Sequence, residues 1–279
     1  MNQAPRAVCV IGFPVAHSRS PLIHGHWLEK HGIAGVYRRE AVKPEELNDF
    51  IAGFAGRGYV GGNITLPHKE AMMKLTEPDD RARAIGACNT IWFDNGRLRS
   101  TNTDAEGFLG SLDQSAPGWD RNVSNAVVIG AGGAARAVVY GFLERGAERV
   151  HLVNRTLSRA EAFRERFGPR VWPTRWDDLQ KVMKGANLVA NTSSLGMTGN
   201  PELPIDLKEV RDDAVVADAV YVPLVTGLLT AARQRGLRTS DGLGMLLHQA
   251  GRGFELWFGV RPKVTAELRK LIEDELLRK

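Results

Sequence analysis

The stretch that most constrains how this chain can fold is AVVIGAGGAARA, residues Ala126–Ala137. The apolar run Ala126–Ile129 predicts a buried parallel strand. It stops at Gly130-Ala131-Gly132-Gly133, and a helical pattern then runs from Ala134 to Arg145. Gly130, Gly132 and Ala135 fit the spacing G-x-G-x-x-G/A. The first glycine allows a tight turn, the second lets the backbone approach a pyrophosphate, and the small third residue lets helix and strand pack closely. The phosphates would then lie on free N–H groups at the positive end of the helix. The motif alone is a weak signal. With a strand before it and a helix after it, the loop is expected to bind a dinucleotide.

A second strand should follow about 20 residues on and end in the group that reads the adenosine ribose. Arg149–Val153 is that strand, and it ends not in a carboxylate but in Asn154-Arg155-Thr156, with Arg159 one turn later. A carboxylate there would repel a 2′-phosphate, whereas guanidinium binds phosphate through paired hydrogen bonds. NADP is therefore expected over NAD. Two arginines on an ordinary solvated loop are the plainer alternative.

A chain of 279 residues suggests about two domains. Its 43% hydrophobic and 25% charged content suits a globular protein with a sizeable core. The two cysteines, Cys9 and Cys88, lie in apolar stretches and form no metal-binding pattern, which fits a reducing compartment. No signal peptide or membrane span is expected. The net charge is +5, but Lys and Arg alternate with Asp and Glu and no long basic block stands out. That balance suits an anionic small substrate and a phosphorylated cofactor better than a nucleic acid.

The strand Ala7–Ile11 runs into His17-Ser18-Arg19-Ser20-Pro21. Ser20 is expected to cap a helix, with Pro21 as its first residue and an end near His31. His24 and His26, two apart on that helix, cannot share a metal and read as structural or surface residues. A strand at Gly35–Val42, a helix at Pro44–Phe54 and a strand at Gly58–Ile64 complete a βαβ arrangement. Asn63, Thr65 and Lys69 follow the last of these, where binding groups gather beyond parallel strand ends. Helical patterns fill Glu70–Leu75 and Pro78–Ile85, and Asn95-Gly96 then signals a hairpin between Ile91–Phe93 and Arg97–Thr101. A helix should start near Asp104. Strands at Arg170–Trp172, Asn187–Asn191, Ala214–Val220 and Leu237–Ser240 bring the second sheet to six, the count of a complete Rossmann sheet. Helices near Trp176–Met183, Leu228–Arg235, Met245–Phe258 and Pro262–Leu277 complete the chain.

Nine separated segments, in this order, resemble the shikimate dehydrogenase family: GFPVAHSRSP at 12–21, NITLPHK at 63–69, GACNT at 86–90, NTD at 102–104, GAGGAAR at 130–136, NRTLSR at 154–159, NTSSLGM at 191–197, DAVYVP at 218–223 and DGLGMLLHQA at 241–250. The resemblance implies an α/β fold. A substrate-binding and catalytic domain would comprise 1–103 and 242–279, the last helices returning to it, and an NADP-binding Rossmann domain would comprise 104–241. It implies reversible NADPH-dependent reduction of 3-dehydroshikimate to shikimate. Substrate contacts would fall on Ser18, Ser20, Thr65, Lys69, Asn89, Asp104, Tyr221 and Gln249, with Lys69 and Asp104 catalytic. Cofactor contacts would fall on Gly130, Ala131, Gly132, Gly133, Ala134, Ala135, Asn154, Arg155, Thr156 and Arg159, and also near Asp80, Ala219 and Gly242, the last two through backbone. No metal is implied. A cytoplasmic monomer or homodimer, binding neither nucleic acid nor membrane, is expected. Two departures from the family pattern, His26 and Cys88, touch none of these contacts. The nearest rivals are a quinate/shikimate dehydrogenase using NAD, a non-catalytic NADP-binding regulator on the same fold, and a methylenetetrahydrofolate dehydrogenase. Arg155 argues against the first, retention of Lys69 and Asp104 against the second, and the HSRSP and NTD segments against the third.

Overall fold

The computed structural model describes residues 6–278; residues 1–5 and 279, which the expected first domain includes, lie outside them. The chain divides into two units at 103/104 and at 248/249. The second division lies beyond the expected 241/242 because one unbroken helix runs from Gly242 to Phe258. Its first turns belong with the second unit, whose core includes Met245.

In the first unit the elements are β1 (Arg6–Gly12), α1 (Ser20–Lys30), β2 (Gly35–Ala41), α2 (Leu47–Ala52), β3 (Tyr59–Ile64), β4 (Glu77–Pro78), α3 (Asp80–Ile85), β5 (Thr90–Asp94) and β6 (Arg97–Thr101). They form one sheet in the order β2-β1-β3-β5-β6-β4. β1 runs parallel to β2 and β3, as a βαβ pattern requires. The hairpin β5–β6 pairs antiparallel to β3. Its turn places Asn95 at φ 50° and Gly96 at φ 79°, the paired positive angles of a type I′ turn.

Three segments differ from their expected form. The helix expected over 44–54 is a 3₁₀ turn at Pro44–Glu46 followed by a six-residue α2. The helical pattern over 70–75 forms only the 3₁₀ turn Ala71–Lys74. Pro78, expected in a helix, lies on the short edge strand β4, parallel to β6, where a residue without an N–H is tolerated.

The second unit carries α4 (Asp104–Ser115), β7 (Ala126–Ile129), α5 (Gly133–Glu144), β8 (Val150–Asn154), α6 (Leu157–Phe167), β9 (Val171–Arg175), α7 (Leu179–Met183), β10 (Leu188–Asn191), β11 (Val215–Asp218), α8 (Gly227–Gln234), β12 (Arg238–Ser240) and the start of α9 (Gly242–Phe258). Its strands lie in the order β12-β11-β10-β7-β8-β9, all parallel. This is the doubly wound sheet that six strands predict. β7 is apolar throughout because both its faces are covered. Ala126 and Val128 join one core layer, and Val127 and Ile129 join another.

The rest of α9 and α10 (Ala266–Leu277) return to the first unit. Trp257 Nε1 donates to the carbonyl of Ile91 at 2.8 Å, and Lys30 pairs with Glu267 at 2.7 Å. Trp27 and Phe254 are fully buried and meet edge to face. Burying side chains of this size stabilises the fold by roughly 1.5–3 kcal/mol each.

Candidate active site

In the first unit the polar residues collect where β1 and β3 end. The strand-end loops are tied together: Thr65 N–H donates to Ile11 O at 2.9 Å and Phe13 N–H to Leu66 O at 3.0 Å. Gly12 permits this approach, since a Cβ there would lie 2.3 Å from Thr65 Cγ2. Ser18 and Ser20 stand beyond β1. The expectation that Ser20 caps α1 is wrong: the helix begins at Ser20 itself, and Arg19 in the cap position makes no side-chain cap. Ser18 Oγ instead accepts from the Ser20 N–H at 3.3 Å, so the Ser20 hydroxyl is not spent on the helix. Arg39, reaching from β2, holds the Ser18 carbonyl with two hydrogen bonds of 2.7 and 3.1 Å.

Lys69 is half-buried just beyond β3. Its carbonyl accepts from the Cys88 N–H at 3.0 Å, which fastens it to the segment ahead of β5. Asn89, next in that segment, is 3% exposed. Its Oδ1 accepts from the Thr103 N–H at 2.7 Å, and its Nδ2 donates to Thr103 Oγ1 at 3.0 Å and to Gln249 Oε1 at 3.1 Å. Asn63 donates through Nδ2 to Asn89 O and Thr90 Oγ1 and accepts from the Tyr37 hydroxyl at 2.6 Å. Thr65, Lys69 and Asn89 thus follow strand ends or precede β5 in this unit, and Asn89 bonds Gln249. Sequence reasoning missed Tyr37 and Arg39. The only signal for them was their alternation on β2, which does not reveal the partner strand.

His24 is structural, as expected. It is fully buried, stacked on Tyr37 at 4.4 Å and surrounded by Trp27, Phe254 and Trp257. Burial pushes its pKa down to about 3, because a charged imidazole would lose its hydration there. Both cysteines are buried and free. Asp80, expected near the cofactor, is the first residue of α3; its carboxylate is exposed and pairs with Arg83 at 3.1 Å.

The second unit holds the rest of the expected cofactor set. Gly130 has φ +99°, and a Cβ there would come within 2.9 Å of Ser193 N. Any other residue would be strained in that turn. A Cβ on Gly132 or Gly133 would meet no protein atom within 4 Å, so the open side of the loop stays free for a ligand. Gly132 caps α5 without a side-chain bond, which leaves N–H groups in the first turn of α5 facing that space. Ala131 and Ala134 are half-buried, and Ala135 is fully buried against the sheet. These residues fit a pyrophosphate. Asn154 ends β8, and its Nδ2 donates to Thr156 O at 2.8 Å, shaping the turn that exposes Arg155, Thr156 and Arg159.

Ala219 and Gly242 come together: a Cβ on Gly242 would lie 2.4 Å from Ala219 O. The loop between Ala219 and Thr226, which carries Tyr221, is anchored by Asp218. This carboxylate is 1% exposed and accepts from Asn191 Nδ2, Val220 N–H and Thr226 Oγ1 at 2.9, 2.9 and 2.7 Å. Burial pushes it up to about 6, against the pull of those hydrogen bonds. Asp104, buried at the start of α4, and half-buried Tyr221 belong to the second unit. Among the described residues no group of three or more His, Cys, Asp or Glu side chains is arranged to hold a metal.

Three family models match the chain. They describe a shikimate dehydrogenase substrate binding domain over residues 10–91, a shikimate/quinate 5-dehydrogenase over 114–201 and a shikimate 5′-dehydrogenase C-terminal domain over 242–270. A shikimate dehydrogenase (NADP(+)) of Rhodopseudomonas palustris strain TIE-1 is 60% identical over 276 residues, 99% of each chain. Among solved structures, shikimate 5-dehydrogenase from Thermus thermophilus in complex with NADP(H) and shikimate superposes with TM-score 0.83 at 34% identity, over 98% of this chain and 99% of that one. Quinate dehydrogenase from Corynebacterium glutamicum in complex with NAD superposes with TM-score 0.90 at 30% identity, over 97% and 99%. By sequence over its whole length and by the fold of both units, the chain belongs to the shikimate dehydrogenase family.

Proposed function

We propose that this chain catalyses the reversible NADPH-dependent reduction of 3-dehydroshikimate to shikimate, the shikimate-pathway step on the route to chorismate and the aromatic amino acids. The observation that carries this reading is the polar end of the first unit. There Asn89 bonds Gln249, the Lys69 carbonyl takes the Cys88 N–H and Thr65 is tied to the end of β1, in a chain 60% identical to a shikimate dehydrogenase (NADP(+)).

NADPH supplies the hydride from its nicotinamide ring, and the protein positions the reactants and manages the proton. Ser18 and Ser20 hold the substrate carboxylate, while Thr65, Asn89, Tyr221 and Gln249 hold its remaining polar groups. Lys69 and Asp104 handle the proton at the oxygen of the reacting carbon, C3. A positioned proton carrier of this kind typically contributes ~10²–10⁴ in rate. Gly130–Ala135 cradles the pyrophosphate, and Arg155 and Arg159 hold the 2′-phosphate. Asp80, Ala219 and Gly242 complete the cofactor contacts.

The likeness to an NAD-bound quinate dehydrogenase raises a second reading, and Arg155 and Arg159 weigh against it. Steady-state assays pairing shikimate or quinate with NADP or NAD decide between them. Shikimate with NADP should give the highest catalytic efficiency; quinate with NAD as the best pair would overturn the proposal. The free buried cysteines suit a reducing cytoplasm, and no described helix is long and apolar enough to cross a membrane. We place the enzyme there as a monomer or homodimer without nucleic-acid or membrane partners.

A further inference from the structure

β9, the edge strand of the second sheet, ends in Arg175. The strand register pairs Arg175 with Asn154, the last residue of β8. Adjacent strands lie about 4.8 Å apart, so Arg175 stands beside the loop that carries Arg155 and Arg159. All three arginines are exposed. Among the described residues, none gives the guanidinium of Arg155, Arg159 or Arg175 a hydrogen bond or ion pair.

Elsewhere in this unit Arg145, Arg211 and Arg235 are matched to carboxylates. The acidic Asp178 after β9 is engaged by Lys181 at 2.6 Å. The N-terminus of the eleven-residue α6 opens on the same loop, and its cap Thr156 makes no side-chain bond to it. Three unmatched cations and a positive helix end at one sheet corner raise the local concentration of anions. A phosphate monoester carries about −1.5 to −2 charge near neutral pH, more than one arginine neutralises.

We propose that Arg175 is a third arginine of the subsite for the adenosine 2′-phosphate, and a determinant of NADP over NAD beyond the Asn154–Arg159 loop. This rests on the NADP reading above. Arg175 supplies charge-assisted N–H donors to the phosphate from the neighbouring strand, where the β8 loop alone cannot reach.

The test is direct titration of wild type, Arg175→Ala, Arg175→Lys and Arg155→Ala with adenosine 2′,5′-bisphosphate, NADP and NAD, beside steady-state kinetics. Arg175→Ala should weaken adenosine 2′,5′-bisphosphate and NADP about tenfold, the weight of one charge-assisted hydrogen bond. NAD affinity should stay within twofold and kcat should hold. Arg175→Lys should recover part of the loss. An Arg175→Ala protein that binds NADP as wild type does, while Arg155→Ala weakens it, overturns the inference and leaves the NADP reading intact. Equal losses for NAD and NADP also overturn it, because they place Arg175 on the adenine instead. A wild type that prefers NAD overturns both.

Discussion

Asn89 Nδ2 donates to Gln249 Oε1 at 3.1 Å, joining residues 160 positions apart at the polar end of the first unit. Asn89 also satisfies the buried Thr103 N–H at 2.7 Å, whereas Gln249 has only one side to commit to the protein network. The two residues should therefore fail differently. Asn89→Ala leaves a buried donor unpaired and should cost about 1–3 kcal/mol of stability in a urea melt, together with activity. Gln249→Ala should raise the Michaelis constant for shikimate with a stability change under about 1 kcal/mol. Matching stability losses in the two variants would show that Gln249 serves the fold rather than the substrate.

Lys69→Met keeps the apolar stem and removes the charge. Turnover should fall by ~10²–10⁴, the weight of general acid–base assistance, while NADP affinity, measured by titration, hardly moves. Turnover within about threefold of the parent would make Lys69 an ordinary surface lysine.

Arg155→Ala should raise the Michaelis constant for NADP by at least tenfold and leave that for NAD nearly unchanged, since a charge-assisted contact contributes about 1.5–3 kcal/mol. Equal effects on both cofactors would remove Arg155 from the 2′-phosphate.

His24 makes the fold sensitive to acid. Its pKa is lowered from 6.5 to about 3 by burial, so between these values the unfolded chain binds a proton that the folded chain refuses. The stability due to neutral His24 is complete above pH 6.5 and is lost as pH falls toward 3, by roughly 1.4 kcal/mol per unit. His24→Phe keeps a ring against Tyr37. It should flatten the acid limb of stability measured by chemical denaturation between about pH 7 and 4. A variant whose acid limb has the same slope as wild type would clear His24 of this role.

Asp218→Ala removes the acceptor shared by Asn191, Val220 and Thr226. It should destabilise the second unit by about 1–3 kcal/mol and loosen the loop carrying Tyr221. Faster amide exchange confined to residues 219–226 would report that loosening, and unchanged exchange there would refute it.

Much of the second unit was legible from residues alone. β7 is four apolar residues and Gly130 follows with φ +99°, so the strand, the turn and the helix after it are all dictated within a dozen positions. The type I′ turn at Asn95-Gly96 is equally local. Helix limits were less legible. Ser20 has the chemistry of a cap, yet the Ser18 hydroxyl takes the Ser20 N–H and the helix starts one residue early. The first turns of α9 join the core of the second unit, because which core a helix turn joins depends on packing rather than on the Asp241-Gly242 punctuation.

The strands, the turns and the chemical types gathered at their ends are dictated locally, because strand pattern, glycine turns and helix signals depend on neighbours a few positions apart. That Asn89 meets Gln249, that Tyr37 reaches Asn63 and that Arg175 stands beside Asn154 are matters of the folded chain. Those pairings follow from strand order and register, which bring together residues far apart in the chain and leave no periodic trace in either partner.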